Sequence, residues 1–196
     1  MFQVRIHGRG GQGVVTAAEL LAVAAFNEGR HAQAFPSFGS ERTGAPVVSY
    51  CRIDDREIRT REPVMAPDAV IVQDVTLIHQ VDLFGGLGPD GYVLINTSRR
   101  IAELGLDDLD ERFRPERLAT CPATELAIEH VGRAVPNAAL LGAFAALADQ
   151  VPLEAIGVAL RDRFGGVVGE RNFAAATAAF EHVTRGREVI TRAATT

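Results

Sequence analysis

Hydrophobic positions along the chain first alternate and then run together. Phe2, Val4 and Ile6 take every second place in Phe2–His7, the period of a strand. Val14 to Phe26 is almost wholly Val, Ala and Leu, the pattern of a buried helix, and Gly29 stands where a left-handed cap would close it. A second strand is expected over His31 to Phe35 and a third over Pro46 to Ile53. Asp54-Asp55 then reads as a turn, with Arg56 to Arg59 returning as an antiparallel partner. Ala69 to Asp74 and Tyr92 to Thr97 are short apolar runs ending in polar residues, the mark of central parallel strands. A short helix over Thr76 to Leu83 separates them. Asp107 to Glu116 reads as an acidic surface loop and Arg117 to Pro122 as a last strand. Helices follow over Ala123 to Val131, Asn137 to Ala148, Leu153 to Arg163 and Glu170 to Val183. Strands interleaved with helices and then helices alone predict one α/β domain over 1–196. Its core is a doubly wound, mostly parallel, Rossmann-like sheet over 1–135, with a helical C-terminal extension over 136–196.

Between the first strand and the first helix stands Gly8-Arg9-Gly10-Gly11-Gln12-Gly13. Glycines there adopt backbone angles other residues avoid and let a ligand approach the main chain. The unpaired N–H groups of the helix's first turn would then face that ligand. Gly8, Gly10 and Gly13 match the G-x-G-x-x-G dinucleotide pattern. Such a site normally has an acid about 20 residues further on, at the end of the second strand. Arg30 to Ser37 contains none, and Glu41 lies beyond Pro36 and Gly39. Ordinary NAD binding is therefore disfavoured. A tight turn needing glycine for its geometry, a phosphate-bearing cofactor and a partner chain all remain open.

The second strand feeds a polar loop, Pro36 to Ala45, that carries Ser37, Phe38, Gly39, Glu41, Arg42 and Gly44. Loops at the carboxyl ends of strands are where open α/β sheets place ligands. Asp74, Asn96 and Thr97 close two central strands at the same edge, where they either line a crevice or cap the following helices.

Composition narrows the chemistry further. A net charge of −5 with no dominant basic patch argues against a nucleic-acid binder. All 20 basic residues are arginine, so Schiff-base and P-loop lysines are excluded. Cys51 and Cys121 form no C-x-x-C and supply neither a cluster nor a zinc site alone. Two thiols, an opening strand without a signal region and no apolar run of membrane length point to the cytoplasm. Of the histidines only His7 lies near the glycine loop, as a structural or proton-transferring group, and no histidine pair has metal-ligand spacing. No catalytic set and no metal site is assigned. That pattern suits a subunit shaping a site completed elsewhere.

Ile6-His7-Gly8-Arg9-Gly10-Gly11-Gln12-Gly13-Val14 resembles the G-x-G-G-Q-G opening of a known group of proteins. These are the gamma subunits, or gamma domains, of 2-oxoacid:acceptor oxidoreductases, the ferredoxin-dependent enzymes of pyruvate, 2-oxoglutarate, 2-oxoisovalerate and indolepyruvate. Ser37-Phe38-Gly39-Ser40-Glu41-Arg42-Thr43-Gly44 is similar to that family's S-Y-G-P-E-x-R-G-G. Here Phe38 replaces Tyr, Ser40 replaces Pro, the spacer before Arg42 is missing and Ala45 replaces the second Gly. Gln73-Asp74, Asn96-Thr97 and Pro136-Asn137 opening an apolar helix also resemble family features.

The resemblance implies a heteromeric enzyme that oxidatively decarboxylates a 2-oxoacid to an acyl-CoA. Thiamine diphosphate and [4Fe–4S] clusters would sit on alpha, beta and ferredoxin-like delta subunits, with ferredoxin or NAD as acceptor. This chain would hold no cofactor alone. It would pack on the catalytic subunits and border the active site or the coenzyme A channel with Gly8 to Gly13, Ser37 to Gly44, Asp74, Asn96, Thr97 and Asn137. The altered second loop leaves the 2-oxoacid open, an aromatic one included. The contrasting reading is a freestanding Rossmann-type nucleotide-binding protein or dehydrogenase.

Overall fold

A computed structural model describes residues 1–37, 43–106 and 109–194. Its six strands are β1 (Phe2–Arg9), β2 (His31–Pro36), β3 (Pro46–Asp54), β4 (Ala69–Val72), β5 (Tyr92–Asn96) and β6 (Leu118–Cys121). They lie in one sheet in the order β2-β3-β1-β4-β5-β6. β1, β4, β5 and β6 run parallel, whereas β3 runs antiparallel to both β1 and β2. This is the expected mostly parallel α/β architecture.

The helices are α1 (Val14–Asn27), α2 (Leu109–Arg112), α3 (Ala123–Val131), α4 (Asn137–Ala148), α5 (Leu153–Phe164) and α6 (Gly166–Ala194). Against one face of the sheet, Val4, Ile6, Ile71 and Leu94 pack with Leu21 of α1, Phe144 of α4, Ile156 of α5 and Ala176 of α6. Every residue of α4 is buried, which is why its sequence is apolar all round. The helix opening the C-terminal region is thus part of the central core. α6 is twice the length its apolar core suggests, because its second half is polar and exposed and carries no strong packing signal.

The opposite face is covered differently. Short 3-10 turns, chiefly Val75–His79, and the one-turn α2 bring Leu77, Leu83, Leu109 and Phe113 against Val70, Val72, Val93 and Ile95. Residues 109–112 are therefore not the surface loop the acidic composition suggests, since Leu109 and Phe113 are core residues. The expected helix over Thr76 to Leu83 is only that short turn. No long helix among the described residues lies on this face.

Arg56 to Arg59 does not return as a strand. β3 already has partners on both sides, so the chain instead crosses the sheet and is held by two buried arginines. Arg52 of β3 donates to the carbonyls of Thr60 and Glu62 and to Gln3 Oε1 at 3.0 Å. Arg5 of β1 donates to the carbonyls of Leu83 at 2.9 Å and Gly85 at 2.7 Å. The alternation in β1 is therefore apolar on the helix face and buried but polar on the other. Among the described residues, no helix is long and apolar enough to cross a membrane.

Candidate functional site

β1 runs two residues past the predicted end, through Gly8 and Arg9, because β3 pairs with it to Pro46. Gly10 continues the pairing alone. Its N–H donates to Ala45 O at 2.9 Å and its carbonyl accepts from Gly44 N at 3.1 Å. These bonds bring the first loop and the end of the second side by side, although 33 residues of chain connect Gly10 to Gly44.

Gly8 is required for space, since a Cβ there would stand 2.6 Å from Val14 Cγ2 and 3.1 Å from Gln73 Cβ. Gly13 is required for backbone angle and space together. Its φ is 75°, and a Cβ would meet Asn137 Nδ2 at 2.8 Å. Gly13 caps α1 without any side-chain acceptor. The N–H groups of Val14, Val15 and Thr16 accordingly have no protein acceptor among the described residues, and a Cβ on the preceding Gly11 would meet none of those residues within 4 Å. An exposed helix N-terminus of this kind carries a partial positive charge and free donors.

Gln12 closes the loop on itself. Its Oε1 accepts from Arg9 N at 2.7 Å and its Nε2 donates to Asp74 Oδ2 at 2.7 Å. Asp74 sits past β4 and caps the Val75–His79 turn, accepting from Thr76 N at 3.0 Å. Burial pushes the Asp74 carboxyl up, but hydrogen bonds from Thr76 and Gln12 and the charge of Arg9 outweigh it and hold the group below its ordinary value. Asp74 is thus a carboxylate at neutral pH. Arg9 pairs with it at 3.2 Å and also reaches Gly44 O at 3.0 Å, Thr76 Oγ1 at 2.8 Å and Gln80 Oε1 at 3.0 Å.

Beside this lies a cavity of about 300 Å³ lined by Gln12, Gln73, Asp74, Asn96, Thr97 and Thr124, with Glu125 at its mouth. Asn96 is the joint of its floor. Its Nδ2 donates to Gln73 O and Thr124 Oγ1, both at 2.8 Å, and its Oδ1 accepts from Thr124 N at 3.1 Å, capping α3. Thr97 accepts from Arg99 N at 3.2 Å. The side-chain amide of Gln73 is buried with no partner on either atom among the described residues. Two carboxylates at this cavity disfavour an anion inside it, whereas the α1 terminus outside it favours one.

Of the expected site residues, Gly8 to Gly13, Gly44, Asp74, Asn96, Thr97 and Asn137 lie at this one edge of the sheet. Asn137 is buried against Gly13 and accepts from Ala138 N at 2.8 Å, so α4 begins where α1 begins. Ser37 is exposed and its N–H pairs with Val48 O at 2.8 Å, fixing the start of the second loop on β3. Phe38, Gly39, Glu41 and Arg42 lie outside the described residues. The sequence reading missed Thr76, Gln80 and Thr124, which carry no motif and enter the site only through the turns that place them.

His7 lies behind the loop on the opposite face, 5% exposed, with no partner for Nε2 among the described residues. Burial first, and the neighbouring Arg5 charge second, pull its imidazole down to about 4, so it is neutral and buried at physiological pH. Cys51 on β3 and Cys121 on β6 are separated by three strands and buried, and burial pushes both thiols up to about 12. Their positions do not fit an iron–sulfur cluster, which needs several converging thiolates. The arrangement also departs from a dinucleotide fold. Antiparallel β3 stands between β1 and β2, so the end of β2 is not next to the glycine loop, and its last residues carry no acid.

Residues 3–182 match the family model described as pyruvate ferredoxin/flavodoxin oxidoreductase. The chain is 46% identical over 181 residues to the pyruvate/ketoisovalerate oxidoreductases common subunit gamma of Pyrococcus abyssi, covering 92% of this chain and 96% of that one. It is 44% identical over 185 residues to the pyruvate synthase subunit PorC of Methanocaldococcus jannaschii, covering 94% and 98%. The crystal structure of the pyruvate oxidoreductase subunit PORC of Thermotoga maritima superposes with a TM-score of 0.78 at 34% identity, over 92% of this chain and 95% of that one. On these matches the chain belongs to the pyruvate ferredoxin/flavodoxin oxidoreductase family, among its gamma subunits.

Proposed function

We propose that this chain is the gamma subunit of a multi-subunit, cytoplasmic 2-oxoacid:acceptor oxidoreductase that converts a 2-oxoacid, coenzyme A and an oxidised acceptor to an acyl-CoA, carbon dioxide and the reduced acceptor. Ferredoxin or NAD is the acceptor, and alpha, beta and delta subunits are the partners. Thiamine diphosphate supplies the decarboxylation chemistry and [4Fe–4S] clusters carry the electrons, both on those partners.

The work assigned to this chain is binding and orientation. The observation that carries it is the uncapped α1 terminus: among the described residues, the N–H groups of Val14, Val15 and Thr16 have no protein acceptor and Gly11 has open space over it. Those donors and the helix dipole suit the diphosphate of coenzyme A, worth up to about 2 kcal/mol in a partly buried geometry. Gly44, at the end of the second loop, borders the same ligand, because it and Ala45 pair with Gly10. The strand-end cavity, with its amides, hydroxyls and carboxylates, suits a neutral hydrogen-bonding part of the ligand. The 1–135 core with its 136–196 helices acts as one body that docks on the catalytic subunits.

Two measurements test this. Tagged chain purified without oxygen from its host should bring larger subunits and an iron–sulfur absorbance, whereas a colourless single chain that binds a nucleotide would overturn the subunit assignment. Thr16→Glu in the assembled enzyme puts a carboxylate in the first turn of α1, which suits the helix but repels an anionic ligand. The KM for coenzyme A should rise about tenfold, the equivalent of ~1.4 kcal/mol. An unchanged KM would remove the ligand from this loop.

A further inference from the structure

We propose that Arg9 is a positioning residue that sets the coenzyme A loop and itself touches no ligand. This rests on the reading that the α1 terminus receives the coenzyme A diphosphate. A loop arginine beside free helix donors invites the opposite role, a bidentate clamp on phosphate. The geometry excludes a clamp, because both edges of the guanidinium are used within the protein. The Nε and Nη2 edge faces Thr76 Oγ1, at 3.3 and 2.8 Å, with Asp74 Oδ2 at 3.2 Å from Nε. The other edge is spent on Gly44 O, 3.0 Å from Nη1, and Gln80 Oε1, 3.0 Å from Nη2. Its charge is also countered locally by Asp74.

The same contacts show what Arg9 does. Gly44 ends the second loop, Gly10 continues the first, and Asp74, Thr76 and Gln80 belong to the turn after β4. The guanidinium, carried by the first loop, is the one side chain among the described residues that bonds both of the other two segments. Gln12 then completes a ring, bonding the Arg9 backbone N–H with one end of its amide and Asp74 with the other. The ring fixes the peptide planes of Gly10 to Gly13, and with them the direction of the donors that open α1. Geometry of this kind requires a planar fork with several donors, which a lysine ammonium lacks although it keeps the charge.

The test is the assembled enzyme carrying Arg9→Lys or Arg9→Gln, assayed against coenzyme A over a range of ionic strength, with Thr16→Glu as reference. Both Arg9 variants should raise the KM for coenzyme A about tenfold and leave kcat within about twofold, since uniform ligand binding is what is lost. The ionic-strength dependence of KM should stay parallel to that of the native enzyme, because no charge contact to the ligand is removed. Hydrogen exchange should quicken over residues 8–13 and 43–45 and stay unchanged in β4 and β5. If Arg9→Lys keeps the native KM while Arg9→Gln loses it and flattens the salt dependence, Arg9 is a direct charge contact and the proposal falls. It falls equally if neither Arg9 variant changes KM while Thr16→Glu does. No change in any of the three overturns both the proposal and the reading beneath it.

Discussion

Gly142 and Gly186 both lie in helices, yet exchanging each for alanine should move stability in opposite directions. Gly142 sits in the middle of α4 where α6 crosses it. A Cβ there would stand 2.7 Å from the Ala176 Cα and well inside the Ala176 carbonyl oxygen. Carbon atoms rest about 3.5–4.0 Å apart, so α6 would have to retreat by about 1 Å. The atoms in the way are backbone, so no rotamer change relieves them. Overpacking without an escape costs about 3 kcal/mol, at the upper end of the usual range. The helix gains about 1 kcal/mol from replacing glycine, which leaves a net loss of about 2 kcal/mol. For a domain of this length that is a fall in Tm of about 4–8 °C. Gly186 lies in the exposed part of α6 with none of the described residues within 4 Å of a Cβ, so Gly186→Ala keeps the propensity gain and should raise Tm by about 2–4 °C. Parallel urea and thermal denaturation of the two variants decides the matter. A Gly142→Ala protein as stable as the native one would refute the close approach of α4 and α6 on which the C-terminal packing rests.

His7 predicts a pH dependence whose sign follows from its burial. Its folded value lies near 4 and its ordinary value at 6.5, so the unfolded chain binds the extra proton between them and stability rises with pH across that window. The His7 part is at most about 3 kcal/mol. It is read as the difference in urea midpoint between native and His7→Leu protein at pH 4.5 and 7, and a difference independent of pH would refute it. Cys51 and Cys121, buried and pushed up to about 12, should resist a thiol-specific disulfide reagent in the native protein and both react once urea unfolds it. Rapid labelling of either under native conditions would contradict their placement in the core.

Local pattern was enough for much of this chain. The period-two opening, the glycines before an apolar helix, and the helices over Ala123–Val131 and Asn137–Ala148 are set by neighbours in sequence, and the structure places them at those residues. The edge at which Asp74, Asn96 and Thr97 meet the glycine loop also follows from parallel strands, whose carboxyl ends share one side. What the sequence could not carry is pairing between distant segments. Nothing local states that β3 inserts antiparallel between β1 and β2, and that insertion both removes the dinucleotide geometry and brings Gly44 to Gly10. Nor does alternation reveal that the second face of β1 and β3 is polar yet buried, since Arg5 and Arg52 donate to carbonyls 8 to 80 residues away. The acidic run near Asp110 hid two core residues because one turn of helix is too short to show a period. Arg9 reads in sequence only as a member of the loop bordering the site, and only the fold, by surrounding it with acceptors from two other segments, makes it a strut. Secondary structure is a property of neighbours along the chain, and a site is a property of neighbours in space.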